Sequence, residues 1–231
     1  MTIGVIGAMQ MEMDNLKEAM TGVQVESVSG VNFMLGEIHG VKVVAAVSGI
    51  GKVFAAICTE AMILKYQPDM IINIGVAGSL TRDLGVLNVA VATKACQHDM
   101  DTSPIGDPVG LLSGINEIFL PTDARMVELL CSVIENRKID YLKGTIASGD
   151  QFIAREEQRR FIRSHFEAIA AEMEGASIGH VCYMNKVPFA ILRSISDSEG
   201  GAMDYQTFAE QAAVQSIEIV MDFLERIEEV K

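Results

Sequence analysis

The apolar positions fall into short runs separated by amphipathic stretches. Residues 2–7, Thr-Ile-Gly-Val-Ile-Gly, have the length and β-branched content of a buried strand. Residues 9–20 carry good helix formers with Glu12 and Asp14 near the start, where acids suit the positive helix end, and predict a helix. Three strands follow at 23–29, 31–39 and 41–48, punctuated by Gly30 and Gly40. A helix over 52–66 stops ahead of Pro68. Residues 70–76, Met-Ile-Ile-Asn-Ile-Gly-Val, have the pattern of a strand covered on both faces.

The alternation continues. A strand is predicted at 86–95, then a long loop over 98–116 with Pro104 and Pro108, then a helix over 123–137 with Asp123 at its N-cap. A strand at 142–148, a basic helix at 156–164, a short strand at 168–171 and a helix of small residues at 174–184 come next. The chain closes with a strand at 188–196 and a long amphipathic helix over 205–230. There is no repeat and no Gly/Ser/Pro linker, so residues 1–231 predict one α/β domain: a central mixed sheet flanked by helices. Consecutive strands over 23–48 predict antiparallel hairpins within a sheet otherwise joined by crossovers. Ligands of such sheets collect at the carboxyl ends of strands. Those ends are 7–9, 48–51, 75–78, 148–149 and 196–197, and all but the last carry glycine, which lets backbone approach a ligand.

Charge narrows the partners. The 31 acids outnumber the 18 bases for a net −13, which argues against nucleic acid or an anionic membrane as partner. No apolar run reaches the ~20 residues of a membrane helix. The first residues lack a basic segment, so neither a signal nor a transit peptide is expected. Cys58, Cys96, Cys131 and Cys182 are widely spaced among apolar neighbours and predict reduced, buried thiols in a cytoplasmic protein. Neither they nor the four histidines show metal-ligand spacing, and no metal or cofactor is expected.

Several segments could carry chemistry, and each has a plainer reading. Asp197 ends a strand that should be buried; desolvation there would raise its pKa and make it a proton donor near neutrality. It could equally cap the next turn with Ser198. Glu172 and Glu174 straddle Met173 where a strand becomes a helix. An ionised Glu174 would accept from a pair of sugar hydroxyls, or both acids could be ordinary first-turn enrichment. Glu12 has the same two readings. Ser48-Gly49-Ile50-Gly51-Lys52 and Gly75-Val76-Ala77-Gly78 are glycine turns that match neither a Walker loop nor a complete dinucleotide turn. Phe152, after Ser148-Gly149-Asp150-Gln151, could stack on a flat heterocycle or pack in the core. Together, Glu12, Glu174 and Asp197 fall on one rim of one sheet.

These motifs, in order and at familiar spacing, with Gly7-Ala8-Met9 before Glu12 and Arg193-Ser194-Ile195-Ser196 before Asp197, resemble the bacterial 5′-methylthioadenosine/S-adenosylhomocysteine nucleosidases of the nucleoside phosphorylase and hydrolase superfamily. The resemblance spans residues 2 to about 225. It implies a nucleoside phosphorylase-like fold and hydrolysis of the N-glycosidic bond of an adenine nucleoside, in methionine salvage and removal of methyl-cycle by-products, with water as co-substrate. By that resemblance Asp197 protonates adenine N7 and Glu12 deprotonates the water. Glu174 holds the ribose hydroxyls beside Met173, Phe152 stacks on adenine, the Ile153 backbone reads the base edge, and Arg193 helps hold the water and the carboxylates. Met9, Ile50, Val76, Ala77, Gly78, Ser196 and Tyr205 complete the implied substrate contacts. A homodimer is implied too, with Thr102 and Ile105 of the long loop lining the 5′ pocket of the neighbouring subunit. Ile105, Val109, Leu111 and Leu112 give that loop an apolar character suited to an interface.

The chain departs from the family pattern in places. Val76 stands where serine is common, the 99–112 loop has fewer aromatic residues, the stretch after Asp197 is about two residues shorter, and Tyr205 replaces a usual Phe. The 5′ substituent is therefore open among methylthioadenosine, S-adenosylhomocysteine, 5′-deoxyadenosine and aminofutalosine-type nucleosides. The nearest rival is a purine nucleoside phosphorylase. Phosphorolysis needs a forked cation for the phosphate dianion, yet no arginine precedes Arg82 and the early loop carries Glu12. A non-catalytic nucleoside-binding protein would not need all three acids, and a dinucleotide oxidoreductase lacks its glycine fingerprint.

Overall fold

The protein is described by a computed structural model covering residues 1–198 and 202–230. Its strands are β1 (Thr2–Gly7), β2 (Thr21–Val28), β3 (Val31–Ile38), β4 (Val41–Val47), β5 (Met70–Asn73), β6 (Val76–Ser79), β7 (Val89–Gln97), β8 (Leu120–Pro121), β9 (Tyr141–Ser148), β10 (Ala168–Glu172) and β11 (Phe189–Asp197). The helices are α1 (Asp14–Ala19), α2 (Lys52–Tyr66), α3 (Ala124–Asn136), α4 (Glu156–Phe166), α5 (Gly175–Asn185) and α6 (Ala202–Glu225).

The strands form one mixed sheet in the order β2-β3-β4-β1-β5-β11-β6-β10-β9-β7-β8. As the sequence predicts, β2, β3 and β4 are an antiparallel meander, whereas β1 pairs in parallel with β4 and β5. β11 pairs with β5, β6 and also β7, which curls the second half of the sheet back on itself. All nine residues of β11 are buried, so it is the central strand.

Period-two alternation sorts the side chains into two cores. Ile3, Val5, Ile72 and Leu192 face one side, against Met13 and Leu16 near α1, Leu130 and Ile134 of α3, and Ile217 and Phe223 of α6. Ile6, Ile71, Phe189 and Ile191 face the other, against Cys58 and Met62 of α2 and Ile178 and Cys182 of α5. A third cluster under α4 joins Ile162 and Phe166 to Leu80, Cys96 and Ala147. All four cysteines are buried and free, as expected.

The pattern misplaces several boundaries for local reasons. The strand expected over 70–76 breaks at Ile74–Gly75 into β5 and β6, because the Glu12 carboxylate fills the space a side chain at 75 would need. A Cβ on Gly75 would lie 2.6 Å from Glu12 Oε1. The helix expected over 9–20 becomes a 3₁₀ turn (Gln10–Glu12) and α1, since the Glu12 side chain folds back onto the chain before it. The strand expected from 86 begins at Val89, after a turn in which Asn88 Oδ1 accepts from the Gly85 amide at 2.7 Å. Asp123 caps α3 as expected, accepting from the amides of Arg125 and Met126.

In the loop over 98–116, only Ile105 of the four expected interface residues is well exposed, at 82%. Leu112 is buried in the second core, Val109 packs on the cluster under α4, and Leu111 is half-buried. With only a 3₁₀ turn at Ser103–Ile105 for regular structure, the loop relies on those side chains inside to hold its shape. The shortened stretch after Asp197 falls on 199–201, outside the described residues. Among the described residues no helix is long and apolar enough to cross a membrane.

Candidate active site

A cleft of about 190 Å³ opens where β1, β10 and β11 end and β6 begins. Three buried carboxylates predicted to share one rim, Glu12, Glu174 and Asp197, line it together with a fourth, Glu172. Met9, Ile50, Val76, Ala77, Gly78, Phe152, Met173, Ser196 and Tyr205 supply the rest of its predicted lining. Ile153 lies in an adjoining recess that shares Asp197, Phe152 and Met173 with the cleft. Phe152 meets Tyr205 edge to face at 5.6 Å between ring centres, and the Tyr205 hydroxyl reaches Met9 Sδ at 3.5 Å. These two aromatic rings form an outer wall over the acids. Thr102 and Ile105 lie outside this cleft, and the Thr102 hydroxyl donates to Asp107 at 2.8 Å.

Backbone amides place Glu12, Glu172 and Glu174, and a neighbouring hydroxyl meets Asp197. Glu12 Oε2 accepts from the amides of Ala8 (2.7 Å) and Met9 (2.9 Å), and Oε1 from that of Val76 (3.2 Å). The tight turn at Ala8 and Met9 after β1 supplies the first two donors, and the start of β6 the third. Burial raises the Glu12 pKa, although the Arg193 charge and the three amides pull the other way. Asp197 is 3% exposed at the end of β11, and Ser196 donates its hydroxyl to Oδ1 at 2.8 Å. Burial again raises its pKa, against the Ser196 bond and the charge of Arg159. A Cβ on Gly78 would come within 2.8 Å of Asp197 Oδ2, so glycine at that position leaves room for the acid.

Glu174 accepts from the Gly51 amide at 2.8 Å, which ties the glycine turn before α2 to the start of α5. The sequence predicts it ionised, helped by the helix start. Here burial and the neighbouring Glu172 charge outweigh the helix and push its pKa up to about 8. Glu172 is the opposite case. Its Oε2 accepts from Arg193 Nη2 at 2.5 Å and from the amides of Glu174 and Gly175, and Oε1 accepts from the Ser148 hydroxyl. Burial favours the neutral acid, but the guanidinium and these donors prevail and hold Glu172 below the ordinary carboxylate range.

Arg193 therefore does not line the cleft. It lies behind it, bonded to Glu172, to Asn73 Oδ1 and to the carbonyl of Leu192, with its Nε buried and without a hydrogen-bond partner among the described residues. Asn73 in turn donates to the Ile6 carbonyl at 2.8 Å. Sequence reasoning singles out Glu172 without giving it a role, and misses the side chains of Asn73 and Ser148. The available signal was Arg193 itself: a cation inside the apolar strand Phe189–Asp197 demands a buried anion.

The cleft, the carboxylate rim and the partly closed mixed sheet together define a nucleoside-processing site of the phosphorylase superfamily, whose sequence model matches residues 2–225. The Staphylococcus carnosus protein named 5′-methylthioadenosine/S-adenosylhomocysteine nucleosidase is 40% identical over 97% of this chain and 100% of its own length. A Helicobacter pylori MTAN mutant with 5′-methylthioadenosine in the active site superposes with a TM-score of 0.94, at 35% identity, over 97% of this chain and 98% of that one. A futalosine hydrolase mutant from Helicobacter pylori superposes with a TM-score of 0.93, at 35% identity, over 97% of this chain and 99% of that one. The chain belongs to the 5′-methylthioadenosine/S-adenosylhomocysteine nucleosidase family of that superfamily.

The raised pKa of Glu174 has a stability consequence. Between its unfolded value near 4.5 and about 8, the folded state binds more protons than the unfolded state, so the group subtracts stability as pH rises through that window. Glu174→Gln is expected to gain stability relative to the parent between pH 5 and 8.5. Urea denaturation at both pH values measures this, and an equal difference at the two would show that Glu174 ionises normally.

Proposed function

We propose that the chain hydrolyses the N-glycosidic bond of 5′-methylthioadenosine or S-adenosylhomocysteine, releasing adenine and a 5-substituted ribose. The observation that carries this reading is the pair of buried acids in one cleft, Glu12 and Asp197: burial raises both pKa values, while the Arg193 charge and three amides favour the ionised form of Glu12 and the Ser196 bond and Arg159 charge that of Asp197. Such groups are matched to general acid–base work, each worth about 10²–10⁴ in rate. Asp197 gives its proton to adenine N7 as the bond to C1′ lengthens and the sugar takes on oxocarbenium character. Glu12 takes a proton from the water whose oxygen bonds C1′. Adenine then leaves as a neutral base. The two acids divide the labour as paired carboxylates do in sugar hydrolysis.

The remaining roles follow the lining. Glu174 bonds the ribose hydroxyls beside Met173, Phe152 stacks on the purine, and the Ile153 backbone meets the base edge in the adjoining recess. Ser196 steadies Asp197. Met9, Ile50, Val76, Ala77, Gly78 and Tyr205 enclose the sugar. Arg193 acts from behind, setting the charge of Glu172 and lowering the proton affinity of Glu12 and Glu174. Water suits this cleft better than phosphate. Four carboxylates line it, and the Arg193 guanidinium behind it is engaged by Glu172. The reading takes the whole chain as one nucleosidase domain, active in the cytoplasm, where its free thiols stay reduced. It serves methionine salvage.

A homodimer is part of the same reading. Val53, Phe54, Ile57 and Leu64 leave α2 with an apolar exposed face, 42–69% accessible, and Ile50 at its edge belongs to the cleft. Burying that face against a second copy would bring the partner's long loop, with Thr102 and Ile105, to the open 5′ end. Phe54→Glu is expected to sediment as a monomer while the parent sediments as a dimer; a monomeric parent would refute the assembly.

Adenine release from methylthioadenosine is expected in phosphate-free buffer. Release only with added phosphate, together with a sugar 1-phosphate, would make the enzyme a phosphorylase. Asp197→Asn should fold normally and lose about 10²-fold or more in turnover. Glu12→Gln should bind substrate with near-parent affinity yet turn over comparably slowly; lost binding with normal turnover would make Glu12 a substrate contact instead.

A further inference from the structure

Arg159 occupies a position that the reaction above does not use. It lies on α4, a polar helix, yet its side chain is only 11% exposed. Its Nη1 donates to the carbonyl of Ser198 at 2.7 Å and its Nη2 to the carbonyl of Ser79 at 2.5 Å. Ser198 directly follows Asp197 at the end of β11. Ser79 ends β6 and directly follows Gly78, the residue whose missing side chain makes room for the Asp197 carboxylate. A single guanidinium thus grips the backbone on both sides of that carboxylate. Arg159 also shares the recess beside the cleft with Asp197, Phe152 and Ile153.

Resting on the reading of Asp197 as the general acid, we propose that Arg159 is a positioning residue for it, clamping the ends of β6 and β11 from α4. The planar fork is well shaped for such a clamp, because two N–H groups diverge at fixed angles to two carbonyls, which an ammonium on a flexible stem cannot reproduce. The clamp also links the acid to the segment bearing Phe152 and Ile153, because α4 begins three residues beyond Ile153. The stacking ring and the proton donor are thereby held in one frame. Small misplacements of catalytic groups of this kind cost up to about 10²-fold in rate.

The charge adds a second, separable effect. Arg159 favours the ionised form of Asp197, whereas burial and Asp204 of α6 favour the neutral form. Ser196 donates to the carboxylate, Tyr205 of α6 stands nearby, and Glu12, Glu172 and Glu174 face it across the cleft. Beyond Arg159, a cavity of about 460 Å³ is bounded by Glu156, Arg82, Arg160 and Arg163. Removing the Arg159 charge therefore raises the proton affinity of Asp197 and extends the neutral acid to higher pH.

The test compares Arg159→Gln and Arg159→Lys with the parent, measuring kcat, KM and the pH profile of kcat/KM, with circular dichroism and thermal melting to verify folding. Arg159→Gln is expected to lose about tenfold to a hundredfold in kcat with a smaller change in KM, and to shift the alkaline limb to higher pH. Arg159→Lys should keep the parent's alkaline limb and recover part of kcat. Parent-like kcat in Arg159→Gln, or a loss of kcat with an unmoved alkaline limb, would overturn the proposal. If Arg159→Gln does not fold, Arg159→Lys decides: a lowered kcat on an unshifted profile supports the clamp, and full activity overturns it. Asp197→Asn, run alongside, separates the two readings. Full activity in that variant removes the general-acid assignment, whatever Arg159 does.

Discussion

The Arg193 guanidinium is enclosed in the centre of the sheet, 1% exposed, and the Glu172 carboxylate beside it is equally enclosed. Neither charge is tolerable alone at that depth, and removing one partner of such a pair typically costs about 3–5 kcal/mol. The pair is also heavily hydrogen-bonded. Ser148 at the end of β9, Glu174 and Gly175 at the start of α5, and Asn73 at the end of β5 all donate to or accept from it. Five segments that meet only in the folded chain therefore converge on one ion pair. It fixes the end of β10 relative to β5, β9 and β11, and the floor of the cleft with it.

From this pair the electrostatics of the cleft follow. Glu172 is ionised because its charge is matched. Glu174, two residues on, has no matching cation of its own among the described residues, and the adjacent negative charge helps push its pKa to about 8. Burial desolvates Glu12 and Asp197 more than nearby charges and donors compensate, and both are raised as well. One rim thus holds carboxylates with divergent proton affinities at similar burial, and the Arg193 ion pair with its accompanying donors at Glu172 makes the difference. The glycines at 75 and 78 serve this arrangement sterically, since any side chain there would occupy the space of a carboxylate.

Much of this was legible along the chain. A short β-branched apolar run marked β1, glycine-punctuated runs marked β2 through β4, a strand was read where β11 lies, and the helical pattern of 52–66 coincides with α2. Asp123 was readable as a cap because capping is local. The convergence of Glu12, Glu174 and Asp197 could be inferred because strand carboxyl ends share one edge of such a sheet. The errors share one cause. The breaks at Gly75 and at Met13 are set by the Glu12 side chain reaching backbone on two different segments, which no local window reports. Leu112 looked like interface because its loop lacks periodicity, yet it fills a core.

The sequence alone determined the order and kind of the elements, the mixed α/β class, and the residue types on the rim, because alternation, helical period and capping act over a few neighbours. Tertiary structure alone decided which acid is charged. Glu172 and Glu174 are chemically identical and stand two residues apart. Their protonation differs because Arg193, distant in sequence, lies against one and not the other, and because burial is a property of the whole fold.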